Sequence, residues 1–225
     1  MVRRMTVTSN GRPAPDRRAV RRRQTIEEIL GLAEEVMTEE GVNGLSLSEV
    51  ARRLGVAPPS LYKYFPSLAA VYESLFLLGQ QRHLAEMRTA MSGRSGLDAL
   101  HHGLDASGRW ALENRALAQL MFWRPVPSFE PSPDGLAVSA EMVEIQRVAL
   151  REAVAAGELD AAADSEEAIH LLSTLIVGVI SQAMSNEPGL PWGEGRFSPV
   201  FPRLMALFAA GYPPERSGPA PGRTS

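Results

Sequence analysis

Apolar positions recur along this chain with the spacing of helices. Ile26, Ile29, Leu30, Ala33, Val36 and Met37 fall at i, i+3, i+4, i+7, i+10 and i+11, which makes one stripe down a helix over 17–40. Glu27, Glu28, Glu34 and Glu35 lie largely off that stripe, and Gly41 is placed to end the helix. Leu47, Val50, Ala51 and Leu54 form a second, shorter apolar face. Ser46 and Glu49 precede it in a capping-box pattern, in which each side chain can satisfy a free backbone N–H at a helix start. Gly55 permits a tight bend, and Pro58-Pro59 opens a third short helix over 60–65. Pro66 ends it, and Ser67 can cap a fourth, long helix over 68–91.

Beyond Gly93 the same periodicity predicts helices at 97–112, 114–123, 136–156, 165–186 and 199–211. Loops at 124–135 and 187–198 are rich in Pro and Gly. No strand alternation of useful length appears. The expectation is an all-α chain, with an N-terminal three-helix unit (17–67) and a C-terminal helical bundle (68–212). Residues 1–16 read as a flexible basic arm and residues 213–225 as a disordered tail.

Composition narrows the chemistry. With no cysteine among 225 residues, disulfides, thiolate catalysis and Cys-ligated metal are excluded, and a reducing, cytoplasmic setting is expected. The Arg-rich start has no apolar stretch of about 7–15 residues behind it, which speaks against a secretory signal. The most apolar segment, 168–184, falls short of the ~20 residues of a membrane span and carries His170, so it reads as a buried helix with no membrane partner. The net charge of -3 is unevenly spread: residues 1–66 hold 11 Lys/Arg against 8 Asp/Glu, and the remainder is acidic. A basic end on an acidic body points to a polyanion that touches one end only.

The 47–65 stretch supplies a means of doing so. Two short helices joined by a Gly-containing turn, behind a longer supporting helix, make a helix-turn-helix whose second helix fits a major groove about 12 Å wide. Val56, Leu61 and Phe65 would anchor that helix, leaving Ser60, Tyr62, Lys63 and Tyr64 to face outward. Lys63 can reach guanine N7/O6 or phosphate, and tyrosine hydroxyls donate to phosphate. Arg21, Arg22 and Arg23 open the supporting helix, and Arg52 and Arg53 are expected to add positive potential. The same pattern is compatible with a purely structural three-helix bundle.

The segment LSEVARRLGVAPPSLYKYF, with EEGVNGLSLSEVA running into it and PSLAAVYESLF following it, resembles the DNA-binding motif of TetR-type (TetR/AcrR) transcriptional regulators. The resemblance covers about residues 21–83 and rests on the pattern A-x-x-L-G-V-x-x-x-x-L-Y-x-Y-F. It implies an all-helical homodimer, probed by a small-molecule effector in its C-terminal bundle and bound to a double-stranded operator. Carried over by position, it implies DNA contacts from Ser46, Ser48, Ala57, Pro59, Ser60, Tyr62, Lys63 and Tyr64. Two departures stand out. Ala57 replaces the Ser or Thr usual there and removes a side-chain cap, and Leu68 replaces a frequent Lys.

In the C-terminal part, Trp110, Phe122, Trp123, Met142 and His170 are candidate pocket residues, with core packing as the alternative. Met121 and Met184 belong to the same class. The helices near 165–186 and 199–211 are candidates for the dimer interface, with Ser173, Gly178 and Ala183 small enough for close packing. His101 and His102 are adjacent on a helix and so diverge by about 100°, which does not suit metal chelation. No metal or cofactor is expected. No G-x-S-x-G, G-x-x-x-x-G-K or H-E-x-x-H motif is present, so no enzyme is expected, and the resemblance implies a ligand-responsive regulator, expected to be a repressor. The alternatives are a protein-interaction module with a vestigial helix-turn-helix, or an enzyme or carrier built on the bundle.

Overall fold

The computed structural model describes residues 16–127 and 129–214. The arm and tail expected at the two ends therefore lie outside the described residues, except for Asp16, Pro213 and Pro214. Asp16 belongs to the first helix as its cap: its carboxylate accepts from the Arg18 N–H at 3.0 Å.

Eight α-helices and no strand make up the described chain. They are α1 (Arg17–Glu40), α2 (Leu47–Leu54), α3 (Leu68–Met91), α4 (Gly96–Glu113), α5 (Arg115–Phe122), α6 (Pro133–Ala155), α7 (Glu166–Asn186) and α8 (Phe201–Gly211). The stripe expected on α1 is the buried one: Ile29, Ala33, Val36 and Met37 face the core. Serine hydroxyls start four helices, with Ser46, Ser67, Ser132 and Ser165 accepting from the N–H groups of Glu49, Ala70, Gly135 and Ala168. The capping box at α2 is only half made. Ser46 caps the Glu49 N–H at 3.2 Å, but the Glu49 carboxylate turns away to Arg52 and Arg53. Two cations compete for it more strongly than one backbone N–H.

The expected helix over 60–65 is not an α-helix. Residues 58–60 form a 3₁₀ turn and 61–64 continue as turns. Ser60 N–H bonds the Ala57 carbonyl at 2.8 Å and Tyr64 N–H bonds Leu61 at 2.8 Å, both i→i+3 closures. The cause lies in the sequence. Ala57 offers no side-chain cap, and Pro66 closes the segment within two turns and disfavours α-helix at the residue before it.

In the body, α4 is central and packs against α3, α5, α6, α7 and α8. Close approach to it depends on small residues. The Trp192 ring of the 187–198 loop lies directly over Gly108, where any Cβ would collide with it. Its indole N–H donates to Asp105 at 2.8 Å. α7 is long and apolar enough to cross a membrane by length and composition. Its Ala168, Ile169, Leu172, Ile176, Val179, Ile180, Ala183 and Met184 are buried within the bundle instead.

One hydrophobic cluster runs from α1 through to α8. Between the N-terminal unit and the body it is reinforced by polar ties to α3. The buried Tyr72 hydroxyl donates to the Val42 carbonyl at 2.7 Å, and Arg82 pairs with Glu34 of α1 at 2.9 Å. Glu73 accepts from Ser132 N–H at 3.1 Å and from its hydroxyl, fastening the start of α6 to α3.

Candidate functional site

Two features could carry function: an outward-facing turn at the N-terminal end and a cavity within the body. At the turn, α1 and α2 hold Leu61 and Phe65 in the core, which forces the residues between them outward. Tyr62 is 54% exposed, Lys63 is exposed, and Tyr64 is half-buried. Ala57, Pro58 and Pro59 are exposed, and Ser60 is partly so. Val56, expected to anchor the segment, is 38% exposed, because the left-handed Gly55 (φ 73°) turns the chain outward before Leu61.

α1 reaches this turn through Arg22. Its guanidinium donates to the Lys63 carbonyl at 3.2 Å and lies 5.4 Å from the Tyr64 ring centroid. The Lys63 ammonium lies 4.9 Å from the same ring. Two cations thus flank one aromatic face, and both stay at the surface. Arg21 and Arg23 are exposed on α1 beside Arg22. Ser46 spends its hydroxyl on the α2 cap, while Ser48 is exposed two residues on, in the first turn of α2.

Arg52 and Arg53 do not act as free cations. Arg52 pairs with Glu49 at 2.6 Å, and Arg53 pairs with Glu49 and Glu39, each at 2.8 Å. Hydrogen bonds from Arg52 and Arg53 hold the Glu49 carboxyl at a pKa of about 2, so this network stays ionised. The potential expected from these two arginines is largely cancelled on the spot.

The cavity, of about 250 Å³, lies between α3, α4, α5, α6 and α7. Phe122 and Met142 line it, as does Met121. Trp110 is buried behind it, with its ring stacked on His83 at 4.8 Å. Trp123 is largely exposed and borders a different surface cleft. His170 is exposed on the outer side of α7, away from the cavity. Three lining residues were not legible as candidates: Gln80, His83 and Gln146. A signal for the first two existed, since they fall in phase with the buried Tyr72, Phe76 and Met87 of α3. Burial lowers the His83 pKa to about 4, so its ring is neutral near pH 7.

On the outer face of α7 and α8, Leu171 is 43% exposed and Leu207 60% exposed. Gly178 is exposed there with no neighbour near its Cβ position. Ser173 and Ala183, expected to serve the same close packing, point elsewhere: Ser173 lines the cavity and Ala183 is buried in the core. His101 leans on the Phe201 ring and His102 on the Asp98 carbonyl. Among the described residues no group of three His, Cys, Asp or Glu could hold a metal ion.

The sequence matches the family described as bacterial regulatory proteins, tetR family, over residues 29–75, and a tetracyclin repressor-like C-terminal domain over residues 100–208. The chain belongs to the tetR family. These proteins are transcriptional regulators, not enzymes, and their N-terminal match here is the unit that carries the exposed turn. Among relatives, the HTH-type regulator YobS of Bacillus subtilis is 33% identical over 86 residues, which are 38% of this chain and 45% of YobS. UidR of Escherichia coli, another HTH-type regulator, is 24% identical over 155 residues, covering 68% of this chain and 78% of UidR. The fold is similar to that of FadR from Bacillus subtilis, solved in complex with stearoyl-CoA, with a TM-score of 0.68 and 18% identity across 82% of this chain and 98% of FadR.

Proposed function

We propose that this tetR-family chain is a homodimeric repressor that reads a palindromic operator and is released by a small-molecule effector. The observation that carries the reading is the outward presentation of Tyr62 and Lys63 on a turn that Arg22 braces from α1. In this reading Lys63 reaches a base edge or phosphate. Ser48, Ser60, Tyr62, Tyr64, Arg21, Arg22 and Arg23 donate to phosphates, Ser46 holds α2 in register, and Ala57 and Pro59 make van der Waals contact. Such a protein acts in the cytoplasm, where the DNA is.

The exposed apolar strip of Leu171, Leu207 and the open Gly178 supports pairing of α7 and α8 with those of a second copy. A two-fold dimer would place its turns on half-sites about 34–36 Å apart. The cavity supports effector control because α3 belongs to both regions. Tyr72 holds the Val42 carbonyl at one end, while Gln80, His83 and Met87 line the cavity further along. An effector that shifts operator occupancy from 99:1 to 1:99 needs about 5.5 kcal/mol of differential affinity between the two states. At about 250 Å³ the cavity is smaller than the ~300–1,000 Å³ of drug-sized ligand pockets, which favours a compact effector over a long acyl thioester such as FadR holds.

Selection of bound fragments from random DNA tests the reading. A two-fold symmetric consensus, bound more weakly by Lys63→Ala, is the expected result. Recovery of no enriched sequence favours the interaction-module alternative.

A further inference from the structure

The cavity has a polar end that the protein's own groups leave unpaired. Gln80 Oε1, Gln146 Oε1 and His83 Nδ1 are buried without a hydrogen-bond partner in the protein. Their residues are only 5%, 7% and 4% exposed, and all three line the same cavity. Buried polar atoms are overwhelmingly paired, so three orphans converging on one space need an explanation. Two of the three orientations are held. Gln146 Nε2 donates to the Met142 carbonyl at 3.1 Å, which fixes the amide and leaves its oxygen without a partner. His83 Nε2 pairs with the Ser107 hydroxyl at 2.7 Å, and its ring is clamped by Trp110 and by Phe122, edge-on at 5.7 Å.

The rest of the wall is mainly apolar, with Met87, Leu104, Met121 and Ile176 among it. No carboxylate lines the cavity, and its one cation, Arg124, is exposed at the rim. An anion driven to the inner end would meet the lone pairs of two amide oxygens. A hydroxyl or N–H group would be attracted by the same oxygens. We propose that this cavity takes an uncharged, largely apolar small molecule that enters donor end first. Its hydroxyl or amide N–H groups donate to Gln146 and Gln80, and His83 Nδ1 supplies the third polar contact. This inference rests on the effector reading above and names the chemistry of that ligand. The neutral state of His83 fits an uncharged partner.

Calorimetric titration of the full chain, without DNA, tests it with three probes: 4-propylphenol, its methyl ether 4-propylanisole, and 4-propylbenzoate. The phenol is expected to bind about tenfold or more tightly than the ether, since only it can donate. In Gln146→Met that advantage should vanish while the ether binds as before, and Gln80→Met repeats the comparison on the second oxygen. A merely structural glutamine would not alter the ratio. Equal binding of phenol and ether, preference for the benzoate, no binding by any probe, or an unchanged ratio in both variants overturns the proposal. Because no operator is present, its failure leaves the DNA-binding reading untouched, and failure of fragment selection leaves this result untouched.

Discussion

The Tyr72 hydroxyl donates a 2.7 Å hydrogen bond to the Val42 carbonyl, thirty residues earlier in the chain. Both residues are buried, so the bond joins α3 to the turn that follows α1 inside the core. Tyr72→Phe would leave that carbonyl without the hydroxyl it accepts from. The expected cost is about 1–3 kcal/mol, read as a lowered denaturation midpoint at constant m-value. In operator-release assays the variant should also need more effector, because the tie between α3 and the N-terminal unit is gone.

Lys63→Ala should weaken operator binding and relax preference at one base position by about 1–3 kcal/mol, read by competition with single-base operator variants. Uniform weakening across all variants would place the ammonium on phosphate. Arg22→Ala should show the uniform pattern, because it braces the turn through the Lys63 carbonyl.

His83 gives stability a defined pH dependence. Its folded pKa, about 4, lies below the ordinary 6.5, so between these values the unfolded chain binds more protons. This contribution is absent above pH 6.5 and grows as a penalty on the folded state down to pH 4, reaching about 3 kcal/mol. Denaturation across that window should lose this part of its slope in His83→Gln, which keeps a partner for Ser107 but does not titrate.

Leu207→Glu should give a monomer by light scattering, with unchanged helical content and lost operator binding. A dimer that persists would move the interface off α8.

Gly108→Ala places a methyl group where the Trp192 ring lies. Displacing that ring breaks its bond to Asp105 and should cost about 1–3 kcal/mol. A red-shifted tryptophan emission is the accompanying sign.

Much of this architecture can be read along the chain. The stripe Ile29, Ala33, Val36 and Met37 is buried where periodicity places it, and the Ser46 and Ser67 caps form at the expected positions. What periodicity misses is competition. Glu49 has a cap pattern, yet two arginines on its own helix take the carboxylate. The 60–65 segment has an apolar face suited to a helix, yet an uncapped start at Ala57 and a stop at Pro66 leave it as turns. In the body, Trp123 and His170 are aromatic enough to suggest a cavity, but Trp123 is exposed just past the end of α5 and His170 sits on the outer face of α7. The cavity's unpaired polar groups come from Gln80 and His83 of α3 and Gln146 of α6, whose meaning depends on how two helices distant in sequence face one another.

The committed guanidiniums of α2 bear on how such a regulator responds to ionic strength. With Arg52 and Arg53 held by Glu39 and Glu49, the cations left at the tip to meet a duplex are the exposed Arg21, Arg22, Arg23 and Lys63. The expected consequence is a salt dependence of DNA binding carried by those four side chains and indifferent to Arg52 and Arg53.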